Sequence, residues 1–262
     1  MLASAGLHVA ALAALAAAPR RWPWIFAAVL ADHVVLTIGG MWPQSLWLGP
    51  NLSRLPADAA ERGEVSLTFD DGPDPEVTPR VLDLLDRWGA QASFFVIGRR
   101  AAAHPDLTAE IARRGHRLEN HTWSHPGTFS CYVPAAQRRE ILRAQEAISR
   151  ASGQTPTWFR APAGFRNPFL DRELSATGLG LASWTRRGYD TMERDPRRVV
   201  RRLVTGLAAG DVLLLHDGSA ARDRAGRAVV LEALPPVLEA ITARGLRAVA
   251  LLPKLPLKAG KP

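Results

Sequence analysis

Residues 65–73 read Val65-Ser66-Leu67-Thr68-Phe69-Asp70-Asp71-Gly72-Pro73, and this stretch predicts the fold of the rest of the chain. Apolar β-formers alternate and then stop at two carboxylates and a Gly-Pro pair, which predicts a buried strand that ends in a tight turn. In barrels of parallel strands, catalytic groups collect at the carboxyl ends. Adjacent aspartates repel one another, so a fold that keeps Asp70 and Asp71 together needs something that offsets their charge, and a cation is the usual solution. For this stretch alone, an acidic turn without function is the alternative.

The composition is that of a folded domain with an appendage. The chain has 262 residues, 47% of them hydrophobic, which is enough for a full core. Its single cysteine, Cys131, excludes an intramolecular disulfide framework and a cysteine-based zinc site. The net charge of +8 is compatible with nucleic-acid binding, but the arginines are scattered and no binding motif accompanies them, so we expect no nucleic-acid partner. Nothing in the sequence indicates the oligomeric state.

The first 43 residues differ from the rest because they are almost wholly apolar. The run Leu2–Ala18 is short for a membrane span of about 20 residues, whereas the run Trp22–Trp42 is long enough but contains Asp32 and His33. We predict an apolar transmembrane hairpin over residues 1–43, with the arginines of its Pro-Arg-Arg connection on the cytoplasmic side. This orientation predicts a protein of the bacterial inner membrane whose remaining residues face the periplasm or the cell exterior.

Two alternatives for the hairpin remain open. A cleaved signal peptide is less favoured because no Lys or Arg precedes the first apolar run. A soluble helical hairpin packed on the main domain is compatible with Asp32 and His33. Residues 44–63 contain Pro50, Pro56 and Gly63 and read as a linker or a strap over the domain, and residues 254–262 read as a short basic tail.

Between residues 64 and 253, short apolar strands alternate with helical patterns. We expect strands at Val65–Phe69, Ala92–Ile97, Arg117–Asn120, Trp158–Ala161, Leu181–Thr185, Val212–His216 and Leu246–Leu252. Helices are expected between them at Pro79–Trp88, Pro105–Arg114, Ala135–Ala151, Pro168–Thr177, Pro196–Ala209 and Ala228–Arg244. Repeated β-then-α units predict an α/β fold with a parallel sheet, and about seven strands favour a distorted, incomplete (β/α) barrel.

A histidine pair follows the third predicted strand, in His121-Thr122-Trp123-Ser124-His125. Residues at this spacing lie on one face of a helical turn, and a loop can also converge them on one ion. With one carboxylate they form a two-His, one-carboxylate set that leaves coordination positions for water and substrate. A lone pair of this kind is often incidental, but the Asp pair at another strand end strengthens the metal hypothesis.

Two further strand ends carry polar side chains. The fourth predicted strand ends in Arg160-Ala161-Pro162-Ala163-Gly164, where Pro and Gly fix a loop whose backbone N–H can face a ligand, and where Arg160 can bond a carboxylate bidentately. The sixth ends in Leu213-Leu214-Leu215-His216-Asp217-Gly218, where His216 is a candidate general acid. The alternatives are a solvated arginine and a histidine satisfied by a backbone group.

These motifs follow one another in the order Thr68-Phe69-Asp70-Asp71-Gly72-Pro73, His121-Thr122-Trp123-Ser124-His125, Arg160-Ala161-Pro162-Ala163-Gly164 and Leu215-His216-Asp217. In this order they resemble the polysaccharide deacetylases, the family with the NodB-type homology domain that is also called carbohydrate esterase family 4. The resemblance covers residues 64–252 and leaves the first 43 residues outside. It implies a distorted (β/α) barrel that holds a divalent metal and removes an N-acetyl group from a sugar. The metal implied is Zn²⁺, with Co²⁺, Fe²⁺ and Ni²⁺ as alternatives.

The resemblance also implies roles for individual residues. Asp71, His121 and His125 would hold the metal. Asp70 would be the general base that deprotonates the attacking water, and Arg160 would orient Asp70.

On the substrate side, the resemblance implies that His216 protonates the leaving amine and that the backbone N–H of Ala163, next to Gly164, stabilises the oxyanion. Leu213 and Leu215 would line the pocket for the acetyl methyl group.

The fourth family motif is the least certain, because it carries an aspartate often followed by Trp. Asp190 is the candidate here, with Trp184 nearby, and it would tether either the catalytic histidine or the arginine. Thr191 follows Asp190 in place of Trp. Ala163 stands where many members have an aromatic residue, which leaves the glycan preference open.

The sequence therefore predicts a metal-dependent deacetylase of an N-acetylated sugar in a cell-envelope polysaccharide or oligosaccharide. A deformylase or deacetylase of a lipid-linked sugar on the same fold is the nearest alternative. A non-catalytic carbohydrate-binding protein is a third, but such a protein has no chemical reason to keep the whole set of polar residues.

Overall fold

Parallel strands and covering helices make up most of the chain, which the computed structural model describes over residues 2–254. The strands are β1 Glu64–Asp70, β2 Ala92–Val96, β3 Arg117–Asn120, β4 Trp158–Phe159, β5 Gly180–Leu181, β6 Arg186–Arg187, β7 Val212–His216 and β8 Arg247–Val249. The helices are α1 Leu2–Ala17, α2 Trp22–Met41, α3 Ala57–Glu61, α4 Thr78–Arg87, α5 Gly98–Ala103, α6 Pro105–Arg113, α7 Pro134–Ser152, α8 Leu170–Ala176, α9 Pro196–Val204 and α10 Val229–Ala243. The predicted basic tail lies, apart from Lys254, outside the described residues.

One sheet has the strand order β5-β4-β3-β2-β1-β7-β6, and β8 pairs with the first residues of β1. All of its strand pairs are parallel. The sheet ends in the two-residue strands β5 and β6, which do not pair with each other, so the predicted incomplete (β/α) barrel is confirmed. The described sheet has eight strands, one more than predicted, and the additional one is β6.

The predicted strand Leu181–Thr185 is wrong in extent because this segment changes its pairing partner. Leu181 and Ser183 exchange backbone hydrogen bonds with Leu52, whereas Thr185 donates its N–H to Val212 of β7. The segment therefore divides into β5 on one side of the barrel and β6 on the other. Two short helices, α3 and α5, were also not predicted, and each is too short to show a helical period in the sequence.

The sheet register brings polar residues together at one rim. Asp70 of β1 lies opposite His216 of β7, and Asn120 of β3 lies opposite Phe159 of β4. The residues that follow these strands therefore emerge side by side at the carboxyl ends, where a shared site is expected.

The hydrophobic core lies on both sides of the sheet. Leu213 and Leu215 pack with the residues beneath α4 and α10, whereas Leu214 packs inside the barrel with Phe95 and Trp184. Successive side chains of a strand point to opposite faces, so β7 contributes side chains to the core on each side of the sheet.

The apolar segment forms a helical hairpin, as predicted, with α1 and α2 joined by a turn at Pro19–Arg21. The stretch Pro19–Met41 is long and apolar enough to cross a membrane, and only 11% of its most apolar window is buried. Helix α1 has 16 residues, or about 24 Å at the usual rise, which is short for a bilayer core. The α2 end docks on the main domain, where Gly40 accepts a backbone hydrogen bond from Arg166 at 3.1 Å. A Cβ at Gly40 would overlap the Arg166 carbonyl oxygen, so only glycine fits.

Residues 44–63 are not a free linker, because they form a strap across the barrel. Gln44 donates to the carbonyl oxygen of Trp184 at 3.1 Å, and Leu52 pairs with the β5 edge. Leu48, Leu55 and Ala59 of the strap are buried. The proline residues that suggested a linker therefore lie in a segment that is irregular but packed against the barrel.

Candidate active site

The predicted site residues converge on a cavity of about 290 Å³ at the carboxyl rim of the sheet. Its walls include Asp70 and Asp71 after β1, His121 and His125 after β3, and His216 at the end of β7. Ala163, Gly164 and Trp184 also line it, as predicted from the sequence. Side chains separated by about 145 positions in the chain thus share one small space.

Asp71, His121 and His125 form a potential metal-binding triad. Asp71 Oδ1 lies 3.4 Å from His121 Nε2 and 3.3 Å from His125 Nε2. Ligand atoms about 2.0–2.2 Å from a tetrahedral Zn²⁺ lie roughly 3.3–3.5 Å apart, so these separations fit such an ion. Asp71 Oδ1 is buried without a hydrogen-bond partner among the described residues, which is a costly position for a carboxylate oxygen unless a cation occupies the gap.

The surroundings of the triad act on the protonation of each ligand. His121 Nδ1 donates to the Arg160 carbonyl oxygen at 2.8 Å, so its Nε2 faces Asp71. Burial alone would lower the pKa of His121, but the carboxylates of Asp70 and Asp71 raise it. Burial by itself would raise the pKa of Asp71, but the neighbouring imidazoles hold it well below its usual range. Burial lowers the pKa of His125, so its ring stays neutral.

Asp70 is held by a fully buried arginine. Arg160 Nη1 donates to Asp70 Oδ1 at 2.6 Å and to Thr68 Oγ1 at 2.9 Å, while the rest of the guanidinium donates to the carbonyl oxygens of Ala182 and Ser183. The guanidinium also lies 3.9 Å from the centroid of the Phe95 ring. With five such contacts Arg160 has one position, and it fixes one carboxylate oxygen of Asp70 while the other faces the triad.

Asp190 contacts His216 and not Arg160. Its Oδ1 lies 2.8 Å from His216 Nδ1, and its Oδ2 accepts the backbone N–H of the same residue at 2.8 Å. Burial alone would lower the pKa of His216, but the Asp190 carboxylate, together with Asp70 and Asp71, raises it to about 9. His216 therefore carries a proton at neutral pH, as a proton donor must.

The expectation that Leu213 and Leu215 line the acetyl pocket is wrong. Both side chains point into the core beneath the helices, and Leu214 lines the cavity instead. Leu214 and His216 share one face of β7 because side chains alternate along a strand. The alternation was readable in the sequence once His216 was placed in the site.

Sequence reasoning also missed four polar residues of the site. Arg187, Thr191 and Ser219 line the cavity, and Arg187 lies with its guanidinium 5.4 Å from the Trp184 ring. Asp217 lies just behind the rim, fully buried, with Oδ2 accepting from Thr78 Oγ1 at 2.6 Å, and burial raises its pKa to about 7. A Cβ at Gly72 would overlap this carboxylate, which explains a glycine after the Asp pair.

Backbone strain is concentrated at this cavity. Over residues 2–254, the non-glycine residues with positive φ are Asp71, Thr122, His125, Ala163, Tyr189 and Ser219. Two of them belong to the metal triad, two more line the cavity, and the other two adjoin His121 and Asp190. Each such conformation costs about 1–3 kcal/mol, and such conformations persist where the surrounding structure fixes a functional geometry.

Comparison with known proteins places this site in a family. The polysaccharide deacetylase family model matches residues 57–182. The chain is 34% identical over 195 residues to a chitooligosaccharide deacetylase of a Bradyrhizobium strain, an alignment that covers 72% of this chain and 89% of the relative. The chain belongs to the polysaccharide deacetylase family.

Two further similarities agree with this assignment. A peptidoglycan-N-acetylglucosamine deacetylase of Bacillus cereus is 32% identical over 177 residues, which cover 67% of this chain and 81% of that protein. The structure of a family 4 carbohydrate esterase from Streptomyces lividans, in complex with acetate, aligns with a TM-score of 0.64 at 32% identity. That alignment covers 71% of this chain and 91% of the esterase. The family, the hydrolase class and the fold predicted from the four motifs are thereby confirmed.

Proposed function

We propose that this chain hydrolyses the N-acetyl amide of an N-acetylated sugar in a cell-envelope glycan. The observation that carries the proposal is the convergence of three groups on one cavity: a potential metal triad, a carboxylate fixed by Arg160, and an imidazole fixed by Asp190. These are a cation site, a candidate base and a candidate acid, which amide hydrolysis requires together. The names of the relatives, which act on chitooligosaccharide and peptidoglycan, support an N-acetylated glycan as substrate.

In this proposal the chain's own residues carry the proton transfers. Asp70 takes the proton of the attacking water, since Arg160 holds one of its oxygens and leaves the other at the cavity. His216 gives its proton to the departing sugar amine, and Asp190 stabilises the charged ring before that transfer. Leu214 and Trp184 form the apolar wall for the acetyl methyl group, and Ala163 presents backbone to the carbonyl oxygen.

Asp71, His121 and His125 would hold a divalent metal, for which Zn²⁺ fits the ligand types and separations. When bound, such an ion acidifies water and polarises the amide carbonyl.

The hairpin supports a membrane location for this activity. We infer that α2 anchors the chain in the bacterial inner membrane and that the catalytic domain faces the periplasm or cell exterior, since Arg20 and Arg21 of the connection favour the cytoplasmic side. Envelope glycans lie on that face of the membrane.

A lipid-linked sugar, deacetylated or deformylated, is the second candidate substrate, and one observation favours it. A cavity of about 640 Å³ lies between the hairpin and residues 165–169, directly after the loop that lines the catalytic cavity. Arg166 in its wall is buried, and its Nε has no partner among the described residues. A cavity between an apolar hairpin and the catalytic cavity, with a buried arginine in its wall, suits the polar group that joins a lipid chain to a sugar.

The test is amide hydrolysis by the zinc-loaded full chain in detergent, measured as acetate release from N-acetylglucosamine oligomers. Release should disappear in the Asp70→Asn variant and after chelation. If the metal binds to the intact chain but only a lipid-linked sugar is hydrolysed, the second candidate replaces the first. If neither substrate reacts, the proposed activity is wrong.

A further inference from the structure

Three metal-ligating side chains lie together in the otherwise apolar hairpin. His8 belongs to α1, and Asp32 and His33 are neighbours in the middle of α2. Potential ligand atoms of all three lie within 4.8 Å of one another, and the two imidazole ring centroids are 5.2 Å apart. Ionisable side chains in a membrane-spanning segment are costly and are normally paired, so this cluster requires a physical reason.

The hydrogen bonds of the cluster fix which atoms are free. His8 Nδ1 lies 2.8 Å from the Ser4 carbonyl oxygen, and His33 Nδ1 lies 2.8 Å from that of Val29. A carbonyl oxygen only accepts, so each Nδ1 carries a hydrogen, and in the neutral ring that binds a metal each Nε2 then carries the lone pair. A backbone partner of this kind is what orients metal-bound histidines in proteins.

The carboxylate is oriented in the same way. Ser4 Oγ donates to Asp32 Oδ2 at 2.6 Å, so the side chain is fixed towards α1. The carboxylate and the two imidazole rings are thus held near one another. Groups that present lone pairs repel unless a cation or a proton lies among them, and the repulsion grows as the surroundings become less polar.

A cation satisfies all three groups at once. Two histidines and one carboxylate are a common ligand set for zinc and neighbouring divalent metals. His8 and His33 also line the 640 Å³ cavity beside the hairpin, so the cluster is open on that side.

We propose that His8, Asp32 and His33 form a second metal site, which binds a divalent transition cation such as Zn²⁺ and fastens α1 to α2. The site goes beyond the proposed hydrolase activity and does not depend on it. Its ligands come from both helices, so a bound ion would add a cross-link between α1 and α2 to the turn and the Ser4–Asp32 hydrogen bond that already join them.

The test measures Co²⁺ binding to the full chain, produced without a histidine tag and held in detergent. The visible absorption of Co²⁺ reports the ligands around the ion. In a His121→Ala/His125→Ala chain the catalytic triad contributes nothing, so about one Co²⁺ per chain should remain and the unsubstituted chain should bind about two. Adding His8→Ala to this background should weaken the remaining site at least about 100-fold. His104→Ala, outside both triads, is the matched control and should leave Co²⁺ binding unchanged.

Absence of tight Co²⁺ binding in the His121→Ala/His125→Ala chain would overturn the proposal and leave a proton-linked polar cluster. Binding that survives His8→Ala would overturn it as well. Asp32→Asn keeps the size of the side chain and should cause the same loss, with helix content by circular dichroism as the folding check. Acetate release from N-acetylglucosamine oligomers by the His8→Ala chain should persist, because His8 lies outside the catalytic cavity.

Discussion

The catalytic rim and the hairpin each carry three potential ligands of the same two kinds, two histidines and one aspartate, in very different settings. The rim triad is nearly buried, and its carboxylate oxygen lies 3.3–3.4 Å from both imidazoles. The hairpin triad is more exposed, and its potential ligand atoms lie within 4.8 Å of one another. Identical ligand types therefore say little about what a site does.

The backbone makes the difference. At the rim, positive φ angles at Asp71 and His125 turn two loops so that ligands from separate strands meet. In the hairpin, ordinary helices carry the ligands, and no described residue there has positive φ outside glycine. Strained loops hold a fixed geometry with open positions for a reactant, whereas regular helices suit an ion that joins two elements.

The largest difference between the two triads should appear when the carboxylate of each is removed. We expect Asp71→Asn to lower kcat/KM for acetate release at least about 1,000-fold, because several kcal/mol of transition-state stabilisation depend on the metal. Asp32→Asn should change kcat/KM less than about twofold while it removes the hairpin metal. The test is to measure metal content and acetate release for both variants. Equal losses of activity would contradict the assignment of catalysis to the rim triad and of helix cross-linking to the hairpin triad.

The second prediction concerns the carboxylate behind His216. His216 must be protonated to act as the acid, and its pKa of about 9 means that activity should fall as pH rises through about 9. In Asp190→Asn the supporting charge is lost, so kcat should fall about 100-fold or more and the basic limb of the pH–rate profile should move to lower pH.

Asp195→Asn, which changes an exposed carboxylate at the start of α9, is the control and should leave the profile in place. A basic limb that stays near 9 in Asp190→Asn would contradict the assignment of His216.

The third prediction separates the two faces of β7, on which the rim depends. Leu214→Ala enlarges the catalytic cavity and should lower kcat/KM about 10-fold. Leu213→Ala leaves a cavity in the core and should lower the free energy of unfolding by about 2–5 kcal/mol, with kcat/KM of the folded protein nearly unchanged. Denaturant unfolding and acetate release test the pair together, and the reverse pattern would restore the original expectation for Leu213.

The smallest effects should come from the hydroxyl groups that support each triad. Ser4→Ala removes the donor to Asp32 and should weaken the hairpin metal site about 10-fold without affecting acetate release. Thr68→Val removes a hydrogen-bond acceptor from Arg160. It should lower kcat about fivefold without affecting metal binding in the hairpin. A change of acetate release in Ser4→Ala, or of hairpin metal binding in Thr68→Val, would show that the two sites are energetically coupled.

The sequence indicated the main polar residues of the rim because strand ends are marked locally. Asp70, Asp71 and His216 each follow a run of β-formers, His121 follows the shorter predicted strand at residues 117–120, and parallel strands end at one rim. The contact between Asp190 and His216 was one of two alternatives, and only the path of residues 188–190 decides between them. Leu213 was misplaced because four successive apolar residues in β7 conceal which face each side chain takes.

Features that depend on distant pairing were not accessible in the same way. Asp32 and His33 stood out in an apolar run, but their partner His8 depends on how α1 lies against α2. The strap was ambiguous because its backbone pairs with residues more than 100 positions away: Leu52 lies opposite Ala182, and Arg54 lies opposite Asp211. Such contacts leave no periodic signal in the chain.

The contact between Gly40 of α2 and Arg166 limits how far the catalytic cavity can lie from the hairpin. Gly40 bonds directly to the loop after Gly164, so no free spacer separates the hairpin from the catalytic cavity. With α2 in the membrane as proposed, the bilayer sets the height of the cavity above its surface. With the proposed location and activity, we expect that the reacting sugar must come to the membrane and that glycan strands farther out stay acetylated.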